Sequence, residues 1–275
     1  MGDSCNESSC SGCNVEGCAS RKVDFSVPEN PLSHIKHVIG VISGKGGVGK
    51  SLVTSELAIL LKRKGYKVGI LDADITGPSI PMAFGLHEQA IGSDDGIIPA
   101  TTMEGIKVIS VNMLLESEET PVIWRGPVIA GVVKQFWNEV VWGELDYLLV
   151  DMPPGTGDVP LTVFQSLPVN GVVIVTTPQG LVEMIVKKAY NMAVQMNIPV
   201  VGLVQNMSYL ECPDCQKKMF IYGEGHVEEL AESLDIPNFA QIPVLPEMTT
   251  LCDSGTIEGF DHPYLDSMVE AIEKM

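Results

Sequence analysis

From Val38 onward the chain alternates between two textures. Short aliphatic and β-branched runs, 37–43 (HVIGVIS), 67–72 (KVGILD), 106–112 (IKVISVN), 146–151 (DYLLVD), 171–177 (GVVIVTT) and 198–206 (IPVVGLVQN), show little polar alternation. Apolar runs of that length read as strands covered on both faces, the pattern of a parallel sheet. Between them, 50–64 sets Leu57, Leu60 and Leu61 on one helical face, and 128–141 and 182–196 repeat the spacing. The alternation predicts an α/β fold, a mostly parallel sheet flanked by helices on both faces. After Asn206 comes a loop-like insert around Cys212 and Cys215, then helices near 224–234 and over 263–275. No internal repeat is present.

Residues 1–36 have no hydrophobic period. Cys5, Cys10, Cys13 and Cys18 are spaced by small and polar residues, and a Pro-containing linker follows at 27–31. A segment of this composition is expected to be flexible and ordered only by a ligand. At 275 residues and 45% apolar, the remainder can bury one substantial core. The expected division is a cysteine-containing extension over 1–36 and a single domain over 37–275.

Charge narrows the function. With 35 acidic against 17 basic residues the net charge is −18, a field that repels phosphate backbones and anionic lipid, so neither nucleic acid nor membrane is an expected partner. No apolar run approaches the roughly 20 residues of a membrane span. The start, Met-Gly-Asp-Ser-Cys, lacks the basic and apolar regions of a signal peptide, so a cytoplasmic location is expected. Seven clustered cysteines in a reducing compartment point to metal ligation or redox chemistry.

Gly44 to Ser51 fits G-x-x-x-x-G-K-[ST], follows an apolar strand and opens a helix. In that setting the backbone N–H groups of Gly44, Lys45, Gly46, Gly47, Val48 and Gly49, running on through Leu52, close around phosphate oxygens. Lys50 reaches the outer phosphates and the Ser51 hydroxyl ligates magnesium. The 37–275 unit therefore reads as a P-loop ATPase domain with a CxxC metal-binding insert. Asp72, Asp74 and Asp151 leave the same C-terminal sheet edge, where open α/β sheets bind ligands. Asp151 suits the magnesium shell and Asp74 the orientation of attacking water, whereas Asp72 could equally cap a turn.

Lys45 gives the loop a second lysine. With GKGGVGKS, DADITGPS, DMPPGTGD, TTPQ and CPDC, the stretch from about 36 to 275 resembles the Mrp/ApbC-type iron-sulfur cluster carriers, within the MinD/ParA/ArsA class of deviant Walker A ATPases. The resemblance implies a homodimer in which Lys45 reaches the partner's nucleotide, a weak magnesium-dependent ATPase activity, and a 4Fe-4S cluster passed to apo iron-sulfur proteins. It makes Lys45, Lys50 and Asp74 the candidate catalytic residues and gives Asn206 the adenine edge, although a polar residue ending a strand is also a common local cap. DMPPGTGD becomes the segment that senses the γ-phosphate.

Cys212-Pro-Asp-Cys215 offers two thiolates at metal-ligand spacing, half of a tetrathiolate site that a two-fold dimer would complete. The resemblance makes the occupant a bridging 4Fe-4S cluster; spacing alone also admits zinc. The N-terminal C-x4-C-x2-C-x4-C set supplies four ligands in one chain and resembles the cysteine extension of the eukaryotic-type scaffold branch, though with a narrower first gap. Cys252 is expected to be a buried small hydrophobe. His34 and His37, set just before the first strand, and His226 are expected to be surface residues, and Arg125 in the WRGP string a stacked surface arginine. Two other functions remain open: a ParA/MinD-like positioning ATPase, and a zinc-stabilised, nucleotide-gated regulator. The apolar stripe Leu265, Met268, Val269 and Ile272 argues against the first, because the rest of that helix is acidic and suited to docking on the protein's own core rather than on a membrane.

Overall fold

The computed structural model describes residues 26–74, 79–114, 126–179 and 182–275. Cys5, Cys10, Cys13, Cys18, Trp124 and Arg125 lie outside them. In chain order the elements are β1 (His34–Ser43), α1 (Lys50–Arg63), β2 (Val68–Asp72), α2 (Ile80–Ala83), β3 (Ile91–Ser93), β4 (Gly96–Ile98), β5 (Ala100–Thr101) and β6 (Lys107–Ser110). Then come α3 (Gly126–Glu139), β7 (Glu144–Asp151), α4 (Asp158–Ser166), β8 (Gly171–Thr176), α5 (Val182–Gln195) and β9 (Val200–Gln205). The last part holds β10 (Leu210–Glu211), β11 (Lys218–Met219), α6 (Val227–Ser233), β12 (Phe239–Gln241), α7 (Pro246–Asp253) and α8 (Asp266–Glu273).

The main sheet runs β12-β9-β8-β1-β7-β2-β6-β5, all parallel except the two-residue β5 at one edge. Each of the six predicted strands is present. Alternation along β1 explains the two layers of core: Val38 and Ile42 point to the face covered by α3, α4, α5 and α6, while Ile39 and Val41 point to the face covered by α1, α2, α7 and α8. Met268, Val269 and Ile272 of α8 are fully buried in the second layer, so that helix packs on its own sheet.

Three expectations change. His34 and His37 lie within β1 rather than before it, so three residues of strand put them on opposite faces, and the His37 ring stacks on Tyr147 at 5.3 Å. Part of the linker is packed: Val27 N donates to Ser166 O at 3.0 Å, Trp137 Nε1 donates to Val27 O at 2.7 Å, and Ser33 is buried. The insert after Asn206 is a β10–β11 antiparallel hairpin, not irregular loop.

Leu57, fully buried between α1 and the sheet, tests the second core layer. Leu57→Ala is expected to lower unfolding free energy by about 3 kcal/mol through lost burial and the cavity left behind. Urea denaturation of the full chain reads this directly, and a change under about 1 kcal/mol would mean α1 is not packed as described.

Candidate nucleotide site and cysteine hairpin

The glycine-rich loop leaves β1 and turns into α1 through Gly49, the N-cap residue, at φ 79°. A Cβ there would lie 2.2 Å from Asn206 Nδ2, so close approach and left-handed backbone both require glycine. Asn206, buried at the end of β9, donates from Nδ2 to Val48 O at 3.0 Å and accepts from Met207 N through Oδ1 at 2.9 Å. It therefore straps the loop to the end of β9, two strands away from β1 in the sheet.

Lys50, 5% exposed, points its ammonium at Asp151 Oδ1 at 2.7 Å and Asp74 Oδ2 at 3.4 Å. Asp151 also accepts from Ser51 Oγ at 2.6 Å and Thr54 Oγ1 at 3.0 Å. Parallel register sets Asp72 directly beside Asp151, on the face that α1 covers. Burial, reinforced by the Asp151 charge, pushes the Asp72 carboxyl well above the usual carboxylate range. Burial raises Asp151 as well, but three donors oppose it, whereas Asp72 accepts the Asp74 N–H through Oδ1 and leaves Oδ2 without a hydrogen bond. Asp72 thus does cap a turn, its own with Asp74.

Lys45 turns away from this cluster. Its ammonium donates to Gln179 Oε1, in the loop after β8, within the TTPQ string. The DMPPGTGD loop lies beside the P-loop, with Gly155 N donating to Ser43 O at 2.8 Å. Gly44, Gly46, Gly47, Val48, Ser51, Asp74 and Asp151 are thus brought to one sheet edge, as expected from sequence.

Beyond Leu52 a cavity of about 310 Å³ opens between α1 and α7, lined by Leu52, Asn206, Pro243, Leu245 and Met248. Its size and apolar lining suit one ring system of a small molecule. Sequence reasoning missed two residues here. Glu56, fully buried on α1, lines the cavity, and neither carboxylate oxygen makes a hydrogen bond; His262 Nε2 approaches Oε1 at 3.4 Å. Burial raises the Glu56 carboxyl above its ordinary value, with His262 opposing. A glutamate inside the apolar stripe of a helix is the signal that could have marked it. Cys252 lines the same cavity half-buried, rather than fully buried, its thiol pushed up by burial and by the Glu56 charge.

Cys212 and Cys215 form the tip of the β10–β11 hairpin, closed by Cys212 N to Lys217 O at 3.1 Å and Gln216 N to Cys212 O at 2.9 Å. Cys215 is exposed and Cys212 half-buried. The backbone N–H groups of Cys215 and Asp214 hold the Cys212 thiol below the ordinary range, which favours the ligating thiolate. Among the described residues no cluster of three or more His, Cys, Asp or Glu could hold a metal ion.

Comparison with known proteins decides the family. Residues 34–275 match the model for NUBPL iron-transfer P-loop NTPases of the ParA group. The chain belongs to that family. Among curated family relatives, the iron-sulfur cluster carrier protein of Clostridium perfringens is 48% identical over 263 residues, 93% of this chain and 92% of its own. The cytosolic Fe-S cluster assembly factor CFD1 of Candida glabrata is 42% identical over 236 residues, 83% of each chain. A nucleotide-binding protein from Archaeoglobus fulgidus, solved in complex with ADP, is 46% identical with a TM-score of 0.77, covering 84% of this chain and 91% of its own. The cell division ATPase MinD of Pyrococcus furiosus shares the fold at 19% identity and a TM-score of 0.63, over 86% of this chain and 98% of that one. Among the described residues no helix is long and apolar enough to cross a membrane.

Glu56 yields a pH prediction. The folded chain holds its proton to higher pH than the unfolded chain does, so its favourable share is complete below the ordinary value of 4.5 and is lost as pH rises through the raised one. Glu56→Gln removes that loss. Urea denaturation should find the variant more stable than wild type by about 1–3 kcal/mol at pH 8, with the difference closing toward pH 4; a variant less stable at pH 8 contradicts the assignment.

Proposed function

We propose that this chain is an ATP-binding, slowly hydrolysing carrier, active in the cytosol, that holds a 4Fe-4S cluster as cargo between two copies and passes it to apo iron-sulfur proteins. The observation that carries this reading is the half-site: two thiols on an exposed hairpin, in a chain whose sheet edge is otherwise built around a phosphate-binding loop. A tetrathiolate needs a second pair, and a two-fold partner presents an identical one. The names carried by family relatives support the cargo's identity.

The residues fit magnesium and a nucleotide. A hard cation takes oxygen ligands, and Ser51 Oγ, 2.6 Å from Asp151 Oδ2, would hold it with Asp151 fixing the hydroxyl's direction. Magnesium supplies charge neutralisation between the outer phosphates. Around it, the 44–49 backbone would surround phosphate oxygens, and Lys50 would move its ammonium from the carboxylates to the outer phosphates. Asp74 would orient the attacking water. The adenine would occupy the 310 Å³ cavity past Leu52, with Asn206 at its edge. Lys45 would exchange Gln179 for the partner chain's nucleotide, so that two bound nucleotides report that two chains have met. The four N-terminal cysteines are proposed as a second ligand set.

Anaerobic reconstitution tests this reading. The full chain should gain iron and acid-labile sulfide in equal amounts and sediment as a dimer. Cys212→Ala/Cys215→Ala should lose the dimer and the labile share of both elements, keeping what the N-terminal cysteines hold. Zinc without sulfide, or a double variant identical to wild type, overturns it.

A further inference from the structure

Both legs of the cysteine hairpin border the cavity beside α1. On the entering leg, Tyr209 immediately precedes β10, and its carbonyl accepts from Val244 N, a cavity-wall residue, at 2.7 Å. One residue earlier, Ser208 N donates to Ile242 O at 2.9 Å, so the leg is fastened to the 242–245 wall at two points. On the leaving leg, β11 runs into Phe220, Ile221 and Tyr222, all exposed, and Tyr222 lines the cavity. Tyr222 also lines a separate cleft of about 530 Å³ under Gln179, so it forms the partition between the space beside α1 and the segment that holds Lys45. The legs are tied to each other: Tyr209 and Phe220 meet edge to face at 6.2 Å, and Lys218 Nζ sits 4.2 Å over the Tyr209 ring.

We propose that Tyr222 is the positioning residue through which nucleotide binding reaches the cysteine pair, with the base end of the nucleotide, rather than its terminal phosphate, setting how open the hairpin tip is. This rests on the reading that a nucleoside occupies the 310 Å³ cavity. A planar ring between Leu52, Met248 and Leu245 leaves Tyr222 no room to swing inward, and with Tyr209 already fastened to Val244 both legs become fixed. An exposed tip on two fixed legs fluctuates less, and the two thiols are held at one separation. The phosphate loop meets the entering leg through Asn206 Nδ2 and Val48 O, but that leg is already fastened at Ser208 and Tyr209, and the DMPPGTGD loop is bonded to Ser43, on the far side of β8 from the hairpin.

The test uses the full chain, reduced and metal-free under anaerobic conditions, with N-ethylmaleimide alkylation of Cys212 and Cys215 followed by peptide mass spectrometry. ADP with magnesium at saturation should slow alkylation by at least about fivefold, while magnesium pyrophosphate, which fills only the phosphate loop, should leave the rate near that of the unliganded chain. Tyr222→Ala, measured at its own saturating ADP concentration, should lose the slowing, and Tyr222→Phe should keep it, because the ring and not the hydroxyl fills the space. Equal slowing by pyrophosphate, or full slowing in Tyr222→Ala, overturns the proposal. Calorimetry on the same samples separates the two layers. If ADP binds and alkylation does not change, the coupling through Tyr222 is wrong and the nucleotide site stands. If ADP does not bind wild type at all, the nucleotide reading fails and takes this inference with it.

Discussion

The rest of the site is organised around one buried contact, Lys50 Nζ to Asp151 Oδ1 at 2.7 Å. It joins the first turn of α1 to the end of β7, with Ser51 and Thr54 completing the carboxylate's partners. Burying an ion pair is a poor source of stability, because the desolvation of both charges offsets most of their attraction. Its presence is better understood as readiness. The ammonium is held within reach of the loop, and its bond, with those of Ser51 and Thr54, opposes the burial that raises the Asp151 carboxyl, while burial and the Asp151 charge raise the neighbouring Asp72 further. The sheet register that sets Asp72 against Asp151 is thus part of the chemistry of the site as well as of its architecture.

The segment after β9 carries the second constraint. Within four residues it straps the phosphate loop through Asn206, meets the 242–245 wall through Ser208 and Tyr209, and starts the cysteine hairpin. The cavity beside α1 and the cysteine tip are therefore served by successive parts of one short stretch of backbone. No long relay has to be invoked between them, only a change in how firmly two hairpin legs are held. That economy suits a carrier, in which the cargo must be held and then released.

Much of this was legible in the sequence, and the reasons are specific. Short, β-branched aliphatic runs such as GVVIVTT, too brief for a helix and bounded by turn residues, read as strands covered on both faces, and the glycine-lysine string between a strand and a helix admits few other readings. The alternation of polar and apolar positions in α8 correctly marked a helix that packs on its own sheet. Less legible were elements with weak local signals: α4 carries Pro160 and β-branched residues, α7 opens on Pro246, and β12 is three residues long. Long-range partners were not legible at all. Asn206 under Val48, Glu56 against His262 and Tyr222 over the cavity are each set by the meeting of segments far apart in the chain, which periodicity cannot report. The histidines of β1 show the converse error, where a strand that starts three residues early takes in His34, which the sequence reading set before it.

The central claim is that nucleotide and cysteine pair work as one device for moving a cluster. Its most direct measurement is transfer: the full chain, loaded anaerobically with iron and sulfide, is mixed with an apo-protein that needs a 4Fe-4S cluster for activity, and the activity gained is followed with and without magnesium-ATP. The account predicts transfer faster than from free iron and sulfide, a rate that changes when ATP is added, and loss of that change, but not of transfer, in Lys50→Ala. A rate indifferent to ATP, or no faster than from free iron and sulfide, would contradict it.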